Sequence, residues 1–345
     1  MKLQFPAVNK MERYSRQMLF APFQNEGQDK LLNSSVLVVG VGALGTSVVE
    51  QLARAGVGHI TIVDRDYVEL SNLQRQTLFT EEDVKLMKPK AVAAQEKIKQ
   101  INSSIKVESY VEHVSKENIE KFIKEKDIIF DGTDNFSTRY LLNDIAYKYN
   151  IPFIYGGVIS SRGMSAIFIP NKTPCFRCLM KDNYSEGQTC DTVGVINPAV
   201  NIVTSLQVTE ALKYLTGNME SLHGGLISFD VWNNQFNKIK FTKVNPECRT
   251  CQLEEFPTLY QKDDIEESVL CGRNTIQIQH HKTFDLTLWK ERLSKVAKVT
   301  ETPFLLKVEV ARDITFILFP DGRLLVQGTE DVVKARSLYD RYIGT

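Results

Sequence analysis

The sequence predicts an α/β fold whose sheet is mixed and mainly parallel, followed by a small α+β domain. Over residues 36–155, short apolar runs alternate with helical patterns, as expected for parallel strands joined by crossover helices. The later strand patterns follow one another closely without helices between them. This spacing predicts antiparallel additions to the sheet.

The first strand, helix and second strand form one continuous pattern. The apolar run at residues 36–39 passes directly into Gly40-Val41-Gly42-Ala43-Leu44-Gly45, and apolar residues then recur at helical spacing as far as Ala55. Residues 60–63 form the second strand, which ends on Asp64. Further strands are predicted at 106–111, 128–131, 153–155, 165–169, 224–229 and 236–241, with helices at 90–101, 116–126, 138–149 and 198–216.

The glycine turn predicts a phosphate-binding site. Where G-x-G-x-x-G follows a strand and opens a helix, the helix N-terminus presents unpaired N–H groups and the positive end of its dipole to a phosphate. Asp64 lies roughly 20 residues further on, where such sites place a carboxylate. The alternative is that the glycines only permit tight packing of strand against helix.

Two cations favour a triphosphate over a dinucleotide. Arg75 lies in an amide-rich segment just past the second strand, and its planar guanidinium suits phosphate oxygens in a bidentate contact. Lys90 begins a predicted helix, where its charge opposes the helix dipole unless an anion lies nearby. An ordinary surface position is the alternative for Lys90.

Carboxylates cluster just beyond the predicted strand 128–131, at the edge of a parallel sheet where ligands bind. Asp134 is expected to hold Mg²⁺ or to orient the reacting groups. Turn capping is the alternative for Asp134 or Asn135. For Asp131 the sequence leaves a structural and a functional role open.

The strongest spacing signal is a pair of C-x-x-C motifs, formed by Cys175 with Cys178 and by Cys248 with Cys251. Four thiolates make the closed tetrahedral site of a structural zinc, without the open position that a catalytic metal needs. A redox pair beside an incidental motif is the alternative. Cys190 lies between the motifs in a polar segment, as a candidate nucleophile or an unused thiol.

Composition limits the classes of function. The 345 residues allow two domains, and 42 basic residues balance 42 acidic ones, so nothing favours a nucleic acid or an anionic membrane as partner. No apolar run is long enough to span a bilayer, and the first six residues lack the apolar core of a signal peptide. We therefore expect a cytoplasmic protein with reduced or metal-bound cysteines.

Three segments are predicted along the chain: a nucleotide-binding domain at 1–253, an acidic linker at 254–268 and a small α+β domain at 269–345. In the last segment, strands are expected at 305–310, 315–319 and 324–326, and Thr329 is expected to cap a helix that ends at Tyr342. The adjacent His280 and His281 do not match any motif in the sequence. No chemical role is predicted for this domain.

The chain resembles the ThiF/MoeB family, the bacterial relatives of ubiquitin-activating enzymes, over residues 11–253. The resemblance rests on Arg13-Tyr14-Ser15-Arg16-Gln17, the glycine turn, Ser71-Asn72-Leu73-Gln74-Arg75-Gln76, Asp131-Gly132-Thr133-Asp134-Asn135 and the paired C-x-x-C motifs. It implies a Rossmann-like domain that uses MgATP to adenylate the C-terminal glycine of a ubiquitin-like sulfur carrier, with release of pyrophosphate. The carrier would be ThiS for thiamine or MoaD for molybdopterin, with a cysteine desulfurase as sulfur source.

Roles follow by position from this resemblance. Asp64 would bind the ribose hydroxyls, Asp134 would place Mg²⁺ and the reacting groups, and Arg16 would reach the ATP of the neighbouring subunit in a homodimer. The resemblance assigns the phosphates to Asn72, Arg75 and Lys90, and further nucleotide contacts to Gly40, Gly42, Ala43, Gly45, Asp66, Gln76 and Asn135. Cys190 matches a position where some members form a covalent intermediate. The tail is shorter than a rhodanese domain, so no sulfurtransferase activity is expected.

Two other functions fit parts of the sequence. The glycine fingerprint alone would suit an NAD-dependent oxidoreductase, although Arg75 and Lys90 count against it. A scaffold that binds nucleotide and a ubiquitin-like partner without catalysis is the third possibility. The chain does not end in Gly-Gly, so we expect the activating enzyme and not the carrier.

Overall fold

The computed structural model describes residues 11–180, 193–241, 244–260, 267–270, 274–280 and 283–344. The chain divides into two compact units, the first comprising Met1–Glu81 and Pro89–Tyr260, and the second Glu82–Lys88 and Gln261–Thr345. Among the described residues, no helix combines the length and apolarity needed to cross a bilayer. The domain bounds expected from the sequence stay a prediction.

The first unit is built on one large mixed sheet. Its strands are β1 (Ser35–Val39), β2 (His59–Val63), β3 (Lys106–Tyr110), β4 (Ile128–Asp131), β5 (Phe153–Ile159), β6 (Arg162–Phe168), β7 (Gly225–Asp230) and β8 (Gln235–Lys240). They lie in the order β3-β2-β1-β4-β5-β6-β7-β8. Neighbours from β3 to β5 are parallel, and β6, β7 and β8 are added antiparallel. The predicted mixed, mainly parallel sheet is thereby confirmed.

Helices connect and cover these strands. In the first unit they are α1 (Ser15–Met18), α2 (Gln24–Leu32), α3 (Ala43–Ala55), α5 (Lys90–Ile101), α6 (Ile119–Ile123), α7 (Phe136–Lys148), α8 (Phe176–Leu179), α9 (Asn197–Thr216) and α10 (Pro257–Tyr260), whereas α4 (Glu81–Lys85) lies almost entirely in the second unit. Helix α7 buries Leu142 in a core cluster with Phe153 of β5. Helix α9 packs Val203 against Leu44 of α3 and Phe229 of β7. Core packing therefore accounts for the apolar pattern of α9.

The second unit contains an antiparallel sheet with helices. Its elements are β9 (Glu267–Leu270), β10 (Thr275–Gln279), α11 (Leu286–Leu293), β11 (Lys298–Glu301), β12 (Leu306–Ala311), β13 (Ile314–Leu318), β14 (Arg323–Gln327) and α12 (Val332–Tyr342). The strand order is β11-β12-β13-β14-β10-β9. Leu293 of α11 and Ala335 of α12 join the buried residues of the strands in one core. This agrees with the predicted α+β domain.

Two details of the sequence prediction are wrong. Asp331 caps α12, because its Oδ1 accepts hydrogen bonds from the backbone N–H groups of Val333 and Lys334. Thr329, the predicted cap, instead accepts a hydrogen bond from the Asp331 N–H. The helix predicted at 116–126 is shorter in the structure, where α6 comprises Ile119–Ile123. The Asn118 side chain accepts a hydrogen bond from the Ser115 N–H and holds the residues before the helix in a turn.

Candidate nucleotide site and metal centre

Gly40, Gly45 and Gly132 lie very close together near the carboxyl end of β1. Gly40 has φ of +85°, and an added Cβ there would lie 2.8 Å from the Gly132 carbonyl oxygen. A Cβ on Gly45 would lie 1.9 Å from the Gly40 carbonyl oxygen, and a Cβ on Gly132 would lie 2.3 Å from the same atom. Tight packing therefore requires glycine at all three positions.

Gly42 is different. Among the described residues other than its chain neighbours, an added Cβ there meets only the Gln76 Nε2 within 4 Å, at 3.9 Å. Helix α3 begins at the next residue, Ala43, so the N–H groups of its first turn follow Gly42 directly. The fold itself leaves room for a side chain at Gly42, and this room is available to a phosphate approaching the helix N-terminus.

Asp64 ties the end of β2 to the glycine turn. Its Oδ2 accepts a hydrogen bond of 2.6 Å from the Val41 N–H, and its Oδ1 accepts one of 2.7 Å from the Asp66 N–H. Burial raises the pKa of Asp64, the Lys90 charge acts in the opposite direction, and the Asp66 carboxylate adds to the rise. Each carboxylate oxygen has a second lone pair, so Asp64 can still accept a ribose hydroxyl.

Lys90 is buried, with 2% of its surface exposed. Its backbone N–H donates a 2.8 Å hydrogen bond to the Asp66 carbonyl oxygen, and its Nζ lies 3.4 Å from the Asp66 Oδ2. The alternative of an ordinary surface lysine is therefore wrong. A buried ammonium beside one carboxylate, at the start of a helix, can also interact with an anionic ligand.

The segment that follows β2 brings polar groups to the same region. Asn72 is buried and forms a capping box with Glu69, so part of its hydrogen-bonding capacity is structural. The Arg75 Nη1 donates a 3.0 Å hydrogen bond to the Ser71 carbonyl oxygen. Gln76 is 4% exposed, and its buried Oε1 has no hydrogen-bond partner within the part of the chain that the structure describes. Because its amide lies beside Gly42, this orphaned acceptor fits a donor supplied by a ligand.

The loop after β4 distinguishes its two aspartates. Asp131 is fully buried, and its Oδ1 accepts from the Thr133 N–H and Oγ1 while its Oδ2 accepts from the Arg139 Nε. Burial raises the pKa of Asp131, and the Arg139 charge opposes that rise. Asp134 is exposed. Asn135 is the N-cap of α7, since its Oδ1 accepts from the Thr138 N–H at 2.9 Å.

Parallel pairing brings these groups to one edge of the sheet. Val39, the last residue of β1, pairs in register with Val63 of β2 on one side and with Asp131 of β4 on the other. The glycine turn, Asp64 and the loop after β4 therefore leave adjacent strand ends, as ligand sites of open α/β sheets do. Arg16 lies exposed on α1, and its expected role concerns a second copy of the chain. Cys190 lies outside the described residues.

The four cysteines of the two C-x-x-C motifs converge. The Sγ of Cys175 lies 3.9 Å from that of Cys178 and 3.5 Å from that of Cys248, and the Sγ atoms of Cys178 and Cys251 are 3.4 Å apart. All four sulfurs lie within 4.8 Å of one another. A tetrahedron with zinc–sulfur bonds of about 2.3 Å has sulfur–sulfur edges of about 3.8 Å. The four thiols are therefore close enough to bind a metal ion.

Sequence reasoning missed a hydrogen-bond network beside this cluster. Asp144 of α7 is fully buried and accepts hydrogen bonds from Arg177 in the first C-x-x-C motif, from Thr250 in the second, and from the Thr258 N–H at the start of α10. Arg177 Nε also donates to the Thr250 Oγ1 at 3.0 Å. The sequence does contain one indication of this network, because Asp144 stands beside the buried Ile145 in a helix that packs against the core.

Known proteins share this arrangement of sequence and fold. Residues 14–250 match the ThiF family. The sulfur carrier protein ThiS adenylyltransferase of Bacillus subtilis (strain 168) is 44% identical over 336 residues, covering 96% of this chain and 99% of the relative. The protein of the same name from Escherichia coli (strain K12) is 36% identical over 240 residues, covering 69% of this chain and 94% of the relative.

A solved structure shares much of the fold of this chain. The crystal structure of E. coli MccB with ATP has a TM-score of 0.60 and 25% sequence identity, covering 69% of this chain and 74% of that one. The family match spans most of the chain, and the two ThiS adenylyltransferases extend the likeness through nearly their whole length. On this sequence and structural evidence, the chain belongs to the ThiF family.

Proposed function

We propose that this chain is an ATP-dependent adenylyltransferase that acts on the C-terminal glycine of a ubiquitin-like sulfur carrier protein. The carrier is of the ThiS or MoaD type, which places the enzyme in thiamine thiazole or molybdopterin biosynthesis. The Bacillus subtilis relative, which matches 96% of this chain, is named for ThiS, so ThiS is the first carrier to test.

One observation carries the proposal. The Val41 N–H, Asp64, Asp66 and Lys90 form a continuous chain of hydrogen bonds and an ion pair beside the open turn at Gly42. This arrangement combines a helix N-terminus, a carboxylate for hydroxyl groups and a buried cation. Those are the three elements that a ribose and a phosphate chain need together.

The chemistry follows from these charges. An oxygen of the carrier's C-terminal carboxylate attacks the α-phosphorus of ATP, the bond from that phosphorus to the bridging oxygen breaks, and pyrophosphate leaves. Two anions meet in this step, so Lys90 and Arg75 would lower the energy of the transition state by balancing the growing negative charge. Asn72 would orient the phosphates, and Asp64 would fix the ribose.

Two metals complete the proposal. The exposed Asp134 carboxylate suits Mg²⁺, which prefers oxygen ligands. When bound, Mg²⁺ would neutralise phosphate charge. The four clustered cysteines would hold Zn²⁺ in a closed structural site, because four sulfur ligands leave no open coordination position.

A homodimer is part of the same proposal. Arg16 lies beside two exposed apolar residues, Leu19 at 74% and Phe20 at 60% exposure. A second subunit would bury these side chains and bring Arg16 to the ATP of its partner. A cysteine desulfurase as sulfur source and a covalent role for Cys190 follow from the resemblance alone, and both stay predictions.

The test is isotope exchange between pyrophosphate and ATP, with purified ThiS and MoaD added separately. Exchange that requires one carrier and its terminal glycine would support the reaction and identify the carrier. Arg75→Ala and Asp134→Ala should each abolish exchange while the fold and the metal content stay unchanged. Arg54→Ala is the matched control, because Arg54 is an exposed residue of α3 that pairs with Glu50.

Other outcomes would favour other functions. ATP binding without exchange, with either carrier present, would contradict catalysis and favour a scaffold for a ubiquitin-like partner. Preferential binding of NAD over ATP would favour an oxidoreductase. Full exchange activity in Arg75→Ala or Asp134→Ala would contradict the assigned site.

A further inference from the structure

We infer that Arg139 is a positioning residue that holds the loop 131–135 so that Asp134 is presented at the ligand edge of the sheet. The inference rests on the proposed function, in which Asp134 binds Mg²⁺. The sequence assigned no role to Arg139. Metal binding without the carrier separates a failure of this inference from a failure of the proposed reaction.

The guanidinium of Arg139 joins three separate backbone segments. Its Nε donates a 2.9 Å hydrogen bond to the Asp131 Oδ2 at the end of β4. Its Nη2 donates to the Thr133 carbonyl oxygen at 2.7 Å, within the loop, and to the Gly156 carbonyl oxygen at 3.3 Å, within β5. One side chain of α7 therefore anchors the start of the loop, its middle and the neighbouring strand.

Burial makes this anchor rigid. Arg139 is 7% exposed, and its guanidinium carbon lies 5.2 Å from the Phe136 ring centroid and 5.3 Å from the Tyr155 ring centroid. Aromatic rings at these distances restrict the orientation of the guanidinium and interact favourably with its charge. Because Arg139 is buried and its hydrogen bonds go to the loop, we assign its influence on the reaction to the position of the loop.

The opposite side of the loop is also fixed. Gln207 of α9 donates a 3.1 Å hydrogen bond to the Asp131 carbonyl oxygen. Both oxygens of the Asp131 side chain are already engaged inside the protein, whereas Asp134 is exposed. The two aspartates therefore have separate proposed roles: Asp131 receives the anchor, and the exposed Asp134 would meet a metal–nucleotide complex.

The geometry of the guanidinium explains why arginine is needed. A lysine ammonium is a compact charge on a flexible stem and cannot reproduce a planar fork that reaches a carboxylate and two carbonyl groups at once. Arg139→Lys would keep the charge next to Asp131 and lose the fixed geometry. Arg139→Met would keep most of the apolar stem and lose every hydrogen bond.

The experiment compares Arg139→Met and Arg139→Lys with Leu142→Ala, a cavity variant in the same helix that leaves the loop contacts in place. Leu142 is fully buried, so this control loses stability without losing the anchor. The measurements are the melting temperature, kcat and KM for ATP in carrier-dependent pyrophosphate exchange, and the Mg²⁺ concentration for half-maximal rate. Binding of Mn²⁺ in the presence of ATP, followed by electron paramagnetic resonance without carrier, adds a readout independent of turnover.

At a temperature where all variants are folded, Arg139→Met should lower kcat about 100-fold, the size expected for a displacement of about 1 Å. Its KM for ATP should change less than about threefold, and both Mg²⁺ and Mn²⁺ should bind more weakly. Arg139→Lys should be intermediate, and Leu142→Ala should match the wild type in all but melting temperature.

Two results would overturn the inference: wild-type kcat and metal affinity in Arg139→Met, or an equal loss of both in Leu142→Ala. Absence of exchange in the wild-type enzyme with either carrier would count against the proposed function instead. In that case the Mn²⁺ measurement still decides the role of Arg139, because weaker Mn²⁺ binding only in the Arg139 variants supports it and equal binding refutes it.

Discussion

Alanine at Gly42 and at Gly45 should separate the requirements of the fold from those of the nucleotide. In Gly45→Ala the new Cβ would lie 1.9 Å from the Gly40 carbonyl oxygen, although ordinary contact begins at 3.4 Å. The first turn of α3 must then move by about 1.5 Å, and forced packing of this kind costs roughly 1–3 kcal/mol of unfolding free energy. In Gly42→Ala the nearest described atom beyond the chain neighbours is 3.9 Å from the new Cβ, so the unligated protein should lose less than about 1 kcal/mol of unfolding free energy.

ATP affinity should respond differently from stability: the variant that loses less stability, Gly42→Ala, should lose ATP affinity. In Gly42→Ala the methyl group occupies the room above the helix N-terminus, so we expect ATP affinity to fall at least about tenfold, or about 1.4 kcal/mol. Urea unfolding of the unligated variants measures the loss of unfolding free energy, and calorimetric titration with ATP measures the loss of ATP affinity. Wild-type ATP affinity in Gly42→Ala would refute a phosphate at this turn. A stability loss in Gly42→Ala as large as that in Gly45→Ala would refute the geometric reasoning.

Three further predictions concern the metal, Lys90 and pH. Cys251→Ser should abolish stoichiometric metal binding in elemental analysis and lower the unfolding free energy by about 2–5 kcal/mol, as for a lost cross-link; retained metal would exclude the four-sulfur site. Lys90→Met should lower kcat/KM for ATP at least about 100-fold, because removal of one buried charge donor costs roughly this much; an unchanged exchange rate would exclude Lys90 from the site. Burial raises the pKa of Asp64, so its carboxylate becomes protonated at a higher pH than that of an ordinary aspartate. ATP affinity should be full above the raised pKa and should fall as the pH drops through it. Asp64→Asn should remove this dependence in titrations at several pH values, and an identical pH profile would contradict it.

Much of the fold follows from local rules. The alternation of buried strands and helices over residues 36–155 predicts parallel pairing, and parallel pairing decides which strand ends meet. The glycine turn, Asp64 and the loop after β4 are therefore placed at one edge by the sequence pattern alone. The C-x-x-C spacing likewise predicts four converging sulfurs, because each motif already brings two of them together.

The missed features depend on contacts between residues far apart in the chain. Nothing local shows that Arg139 reaches Gly156, or that Asp144 joins Arg177 to Thr250. The role of Asp131, which the sequence left open, also depends on such contacts, because both of its side-chain oxygens accept hydrogen bonds inside the protein.

The error at α12 has a different origin. Thr329 and Asp331 are both good capping residues, only two positions apart, and the choice depends on which side-chain oxygen faces the first-turn N–H groups. Local propensity cannot rank two such neighbours. The orientation of the chain before the helix decides between them.

Helix α7 carries one partner of each of two buried ion pairs, Arg139 with Asp131 and Asp144 with Arg177. Each residue added to an α-helix rotates the remainder of that helix by about 100°. A single insertion or deletion between positions 139 and 144 would therefore rotate Asp144 away from both C-x-x-C motifs while leaving the loop 131–135 in place. The number of residues between Arg139 and Asp144 is therefore constrained, and this spacing offers a simple criterion for recognising relatives in which the proposed nucleotide site and the cysteine cluster depend on one helix.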